Sequence, residues 1–174
     1  MANGGGGEIQ DKLRKSMLFR YLKDDALKEV LALSEIVRDK ADDRIISEGE
    51  VSTFLYTVLE GNVNVFVREN SGKEIFVGAI GEGEVFGEAG IFLTVKRTAN
   101  IVSGDNTMPL RVDRNCLLEF IQKYPTAGVN MLLIIIYGLL RKLRESNQEL
   151  AFERKSVIAQ DDIDDIVENF MKES

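Results

Sequence analysis

The spacing of apolar residues changes twice along the chain. Leu13, Met17, Leu18 and Leu22 recur at helical intervals, and Asp24-Asp25 then opens a second series of Leu27, Val30, Leu31 and Leu33. Residues 9–33 therefore read as two helices. From about 36 to 113 the period falls to two, with strand-like runs at Leu55–Leu59, Val63–Val67 and Ile75–Val77. Gly49, Gly61, Gly72, Gly81 and Gly83 punctuate these runs, and Glu60-Gly61-Asn62 and Asn70-Ser71-Gly72 are tight-turn signals. Many short strands between regular turns predict an antiparallel β-roll of jelly-roll type, flanked by helices.

A helical period returns from about 114, and Pro125 fits the first turn of a long helix over 126–158. Met131 to Leu140 is apolar almost throughout, so two faces of that helix need cover. Val129, Leu133, Ile136, Leu140, Leu143, Asn147 and Leu150 step by four and three, the spacing of a two-stranded coiled-coil seam with one polar member. The expectation is a homodimer through 129–150; a plain core helix with chance spacing is the alternative. A last acidic element, 159–174, carries Ile163, Ile166, Val167, Phe170 and Met171 as an apolar stripe. It reads as a docking helix or as a frayed tail. Residues 1–10, with four consecutive glycines, read as a flexible lead, and 11–125 as the roll with its N-terminal helices.

Composition narrows the function classes. A chain of 174 residues with a net charge of -7 suits one compact domain with appendages and argues against a partner that is nucleic acid. The apolar run falls short of the roughly 20 residues that span a bilayer, so no membrane is expected. Histidine is absent and Cys116 is the lone cysteine, which removes histidine-based nucleophile systems and zinc clusters and fits a cytosolic setting. Binding is expected rather than catalysis, and no metal or resident cofactor.

The chemistry gathers in Val85-Phe86-Gly87-Glu88-Ala89-Gly90-Ile91-Phe92 and Lys96-Arg97-Thr98-Ala99-Asn100. Gly87 leads into a short helix whose first N–H groups have no intrahelical partner. Arg97, nine positions after Glu88, can grip a phosphate with two donors, and Thr98 adds a hydroxyl beside it. Glu88 would repel a phosphate but can accept from a neutral sugar hydroxyl. A surface loop in which Glu88 and Arg97 pair with each other fits the spacing equally well.

These residues resemble the phosphate-binding cassette of the cyclic-nucleotide-binding domain. That family includes the bacterial cyclic-AMP receptor protein, regulatory subunits of cyclic-AMP-dependent kinase and cyclic-nucleotide-gated channels. Ser47-Glu48-Gly49-Glu50, Leu59-Glu60-Gly61-Asn62-Val63 and Gly72-Lys73-Glu74 fall where the family's roll turns, and about residues 17–150 share the likeness. The resemblance implies Arg97 on a cyclic phosphate and Glu88 on a ribose 2′-hydroxyl. It also implies the backbone of Gly87, Glu88 and Ala89 around the phosphate, with Phe86 in the same motif, and Thr98 and Ala99 completing the pocket. Val77 is implied for the base wall, and Ser146 or Asn147 for a contact to the base from the long helix. The family's kinase-type members carry a small residue and a proline where Val95-Lys96 stand here, and Thr98 resembles channels that accept cyclic GMP.

The implied function is a sensor for cyclic AMP, ahead of cyclic GMP, that acts on an unidentified downstream protein through its C-terminal helices. No DNA-recognition helix follows the long helix, so the chain reads as a free-standing sensor or a piece of something longer. A roll that binds no nucleotide and serves only for dimerisation or docking is the alternative; missing histidines argue against a roll-shaped metalloenzyme. Removing Arg97 is expected to weaken binding by at least two orders of magnitude while leaving the unliganded fold nearly as stable.

Overall fold

The computed structural model describes residues 4–172, with side chains described for 7–152. The chain divides into two units, Met1–Ile135 and Ile136–Ser174. The first begins with α1 (Gly4–Lys15) and α2 (Asp24–Ala32). Eight strands follow: β1 (Ser34–Ile36), β2 (Arg44–Ile46), β3 (Phe54–Glu60), β4 (Val63–Arg68), β5 (Glu74–Ile80), β6 (Val85–Phe86), β7 (Asn100–Ser103) and β8 (Met108–Asp113). Between β6 and β7 lies the short α3 (Glu88–Phe92); α4 (Arg114–Lys123) and α5 (Pro125–Lys172) complete the chain.

The strands form two four-stranded sheets, ordered β1-β8-β3-β6 and β2-β7-β4-β5, and every pairing is antiparallel. This is the expected roll, and β3, buried on both faces from Leu55 to Leu59, lies at its centre. Ile46, Tyr56, Val58, Val63, Phe86 and Ile101 come from both sheets and form one buried cluster. Each such side chain contributes about 1.5–3 kcal/mol on burial. Gly61 and Gly72 turn β3 into β4 and β4 into β5 with φ of 79° and 86°, values a side chain would oppose.

Two boundaries differ from the sequence expectation. Helix α1 starts at Gly4, inside the stretch expected as a flexible lead. Its anchorage lies at the other end, where Leu13 is buried, Lys12 meets Glu60 and Arg14 meets Asp24. Helix α5 runs unbroken through 158–160, where a separate acidic helix was expected to begin. Neither proline nor glycine interrupts the sequence there, so nothing in the backbone forces a break. The stripe from Ile163 to Met171 lies outside the described side chains.

Asp113 caps α4 by accepting from the Asn115 N–H at 2.9 Å, and Pro125 is the first residue of α5. Gly128 allows α5 to start close against α4: a Cβ there would sit 2.7 Å from Ile121 Cγ1 and 2.9 Å from its Cα. Gly128→Ala is expected to lower stability by about 1–3 kcal/mol through overpacking. Gly138→Ala, on the same helix with open space around it, should instead gain up to about 1 kcal/mol. Urea denaturation of both variants checks the contrast.

One sequence expectation is corrected within α5. By length and composition alone Pro125–Phe152 passes as a helix able to cross a membrane, since one 18-residue window within it reaches a mean hydropathy of 1.4. The expectation stopped the run at Arg141, whereas an 18-residue window tolerates the two charges of Arg141 and Lys142. Met131 and Ile135 are buried within the first unit, so that part of the helix already packs one side on protein. Val129, Leu133, Ile136, Tyr137, Leu140, Leu143 and Leu150 remain exposed.

Candidate functional site

Strand β6 is two residues long and is fixed by β3: Phe86 pairs with Tyr56 and stacks on its ring at 4.8 Å between centroids. Phe86 thus points into the roll's core, where it is 2% exposed. Gly87 follows in the left-handed region, φ 79°, and turns the chain into α3. The turn delivers Glu88 to the first position of α3, largely buried at 9% exposure.

Arg97 is held by its backbone and by its side chain. Its N–H donates to the Glu50 carbonyl at 2.7 Å, and its own carbonyl accepts from the Gly49 N–H at 2.8 Å. The guanidinium reaches under α3: Nη1 donates to the Gly87 carbonyl at 2.9 Å and Nη2 to the Phe54 carbonyl at 2.7 Å. Nε is buried and has no hydrogen-bond partner. Burial lowers the guanidinium's proton affinity, while Tyr56, Glu50 and Glu88 work against that fall. A buried donor without a partner costs about 1–3 kcal/mol. An anion arriving at that edge would remove the penalty and oppose the desolvation of the cation.

Glu88 and Arg97 line one cavity of about 150 Å³. Gly87, Ala89, Thr98 and Ala99 line it too, so six of the expected site residues meet there. Phe86, Val77, Ser146 and Asn147 do not line it. Phe86 is core; Val77 is an exposed residue of β5, and Ser146 and Asn147 are exposed positions of α5 in the second unit. The cavity is smaller than the roughly 300 Å³ at which drug-sized ligand sites begin.

Several residues shape the site without having been given a ligand contact from the sequence. Ile46, Gly90, Val95, Lys96 and Ile101 complete the lining. Gly90 lies so close to the guanidinium that a Cβ would fall 2.8 Å from Arg97 Nη1 and 2.4 Å from the Ser52 carbonyl oxygen. Asn100, 1% exposed, fixes the turn beneath Arg97: Oδ1 accepts from the Glu48 N–H at 2.7 Å and from Arg44 at 2.9 Å, and Nδ2 donates to Glu74 at 2.8 Å. Arg114 closes the far end of α3, donating from Nη2 to the carbonyls of Gly90 at 2.6 Å and Leu93 at 3.0 Å. The glycines were visible in the cassette motif; contacts to backbone carbonyls carry no residue-type signal.

Comparison with known proteins agrees with this architecture. The profile of the cyclic nucleotide-binding domain matches residues 37–124, and the chain belongs to that family. The chain is similar to the cyclic AMP receptor protein of Thermus thermophilus, 31% identical over 106 residues, covering 61% of this chain and 47% of that protein. It is also similar to the cGMP-dependent protein kinase of Plasmodium berghei, 29% identical over 63% of this chain and 12% of the kinase. Among solved structures, a cyclic nucleotide-binding domain from Methylobacillus flagellatus shares the fold with a TM-score of 0.69 at 24% identity, covering 82% of this chain and 80% of that one. The chain thus spans about half the length of the bacterial relative. It is a regulatory nucleotide-binding domain of the type found in those receptors and kinases.

Proposed function

We propose that this chain binds a cyclic nucleotide non-catalytically, cyclic AMP in preference to cyclic GMP, and signals by repositioning its C-terminal helix. Arg97 would take the cyclic phosphate through Nε and a remaining N–H, since a guanidinium carries five N–H donors and the two carbonyl bonds use one on each terminal nitrogen. Glu88 would accept the ribose 2′-hydroxyl, with the backbone of Gly87, Glu88 and Ala89 around the phosphate and Thr98 and Ala99 at the rim. The observation that carries this reading is that the largely buried Glu88 and Arg97 line one cavity together with Gly87, Ala89, Thr98 and Ala99. The bacterial relative's name supports cyclic AMP, and the lone Cys116 keeps the cytosol as the proposed setting.

Calorimetric titration with the two nucleotides side by side tests the proposal. Tighter binding of cyclic AMP is the expected result; equal or tighter cyclic GMP binding overturns the preference, and no heat with either overturns the ligand. The docking-module alternative draws on the two carbonyl bonds of Arg97, which give it a structural role even without ligand. A ligand at 100 times its dissociation constant stabilises by about 2.7 kcal/mol, so a thermal melt unmoved by any cyclic nucleotide would favour that alternative.

We further propose that the exposed seam from Val129 to Leu150 pairs with a second copy of the chain. Leu133, Leu140 and Leu143 are each close to 60% exposed, at 58%, 60% and 58%. Leu140→Glu would place a charge against its own copy in the seam and is expected to shift sedimentation from dimer to monomer. Sedimentation of the unaltered protein as a monomer at every practical concentration would remove the pairing.

A further inference from the structure

A second cavity, of about 480 Å³, shares no lining residue with the cassette. It forms where the segment joining α1 to α2 meets the junction of α4 and α5, wholly within the first unit. Its volume lies in the range of sites that hold small organic ligands, about 300–1,000 Å³.

The lining has two chemical halves. Leu18, Leu22, Ala26 and Met131 are buried apolar residues, at 6% exposure or less, so one part of the wall is hydrocarbon. The charged lining residues are Lys23, Asp25 and Lys123, two cations against one anion. Lys123 Nζ is already neutralised by the Glu29 carboxylate at 2.7 Å. Lys23 carries an exposed ammonium with no ion pair or hydrogen bond among the described residues. A ligand that satisfies both halves has an apolar tail for the wall and a negative head for Lys23.

We propose that this cavity is a binding site for a small amphiphilic carboxylic acid, with its tail on Leu18, Leu22 and Met131 and its carboxylate beside Lys23. A neutral alcohol with the same tail gains the apolar contact but not the charge. An ammonium with that tail meets Lys23 as a like charge. The site is independent of the cassette, so it stands or falls separately from the nucleotide reading.

The test uses the full chain labelled at its methionine methyl groups, because Met131 lines the cavity and Met108, buried in β8, is an internal control. Sodium decanoate, decanol and decylammonium chloride are titrated while both methyl resonances are followed. Decanoate is expected to move the Met131 signal to saturation and leave Met108 in place. Lys23→Glu, an exposed change that leaves the fold intact, should weaken decanoate by about tenfold and leave decanol unchanged. A Met131 signal unmoved up to the solubility limit overturns the site, as does parallel movement of Met108. Decylammonium binding as tightly as decanoate, or decanoate binding unaltered by Lys23→Glu, overturns the assignment of the acid head.

Discussion

Arg97→Ala is expected to weaken cyclic-nucleotide binding by at least two orders of magnitude and, in the same protein, to lower the stability of the ligand-free fold. The first effect follows from charge. A phosphate drawn into the cavity without its cation is a buried, unpaired anion, at a cost of about 3–5 kcal/mol, or roughly two to three and a half decades in affinity. The second follows from the carbonyls of Phe54 and Gly87, which both lose their guanidinium donor. The Gly87 carbonyl keeps the Gly90 N–H at 3.1 Å, so the Phe54 carbonyl carries most of the loss, about 1–3 kcal/mol unless water replaces the donor. The sequence alone suggested an arginine waiting for ligand, with little effect on the empty fold. The structure instead gives it two standing bonds. Arg97→Lys keeps the charge but loses the planar fork, so it should fall between the parent and alanine in both measurements. Calorimetry below the variant's melting point reads the binding loss, and a melt without nucleotide reads the stability loss. Affinity equal to the parent's would end the site assignment; an unchanged melt would show that water takes over both carbonyls.

Gly90→Ala is expected to damage the cassette nearly as much, although it changes no charge. The new methyl carbon would lie 2.4 Å from the Ser52 carbonyl oxygen, 2.8 Å from Arg97 Nη1 and 2.9 Å from its Cζ. Backbone on one side and a doubly bonded guanidinium on the other leave no soft direction, so α3 or Arg97 must move. Overpacking of this kind costs about 1–3 kcal/mol. The displaced guanidinium should cost at least about tenfold in nucleotide affinity, since each 1.4 kcal/mol is a factor of ten. Gly78→Ala on β5, where nothing lies within 4 Å, is the control and should leave both quantities near the parent's. Parent-like affinity in Gly90→Ala would mean that the guanidinium's position is not what sets binding.

The roll was readable from the chain because its signals are local. The mostly apolar runs Leu55–Leu59 and Val63–Val67, bounded by turn residues, mark β3 and β4, and glycine at Gly61 and Gly72 marks their turns. The meeting of Glu88 with Arg97 was readable for the same reason, since Gly87, the short helix and Arg97 lie within eleven consecutive residues. What escaped was contact between side chains and distant backbone. The bond from Arg97 to Phe54 spans 43 positions, and any residue at 54 could offer that carbonyl. Arg114 to Gly90 is hidden in the same way. Phe86 shows the opposite limit: its place beside Gly87 suggested the pocket, but the pleat of β6 turns it onto Tyr56. Helix α5 ran past its expected end because acidic residues suit a new helix start and an exposed helix interior alike.

Arg114 belongs to two elements at once. As the first residue of α4 it donates its backbone N–H to the Thr53 carbonyl at 3.1 Å, while its side chain grips the C-terminal carbonyls of α3. The short helix and the base of α4 are therefore yoked by one side chain, without slack from an intervening loop. A shift of α3 would have to break the Arg114 bonds or carry the start of α4 with it.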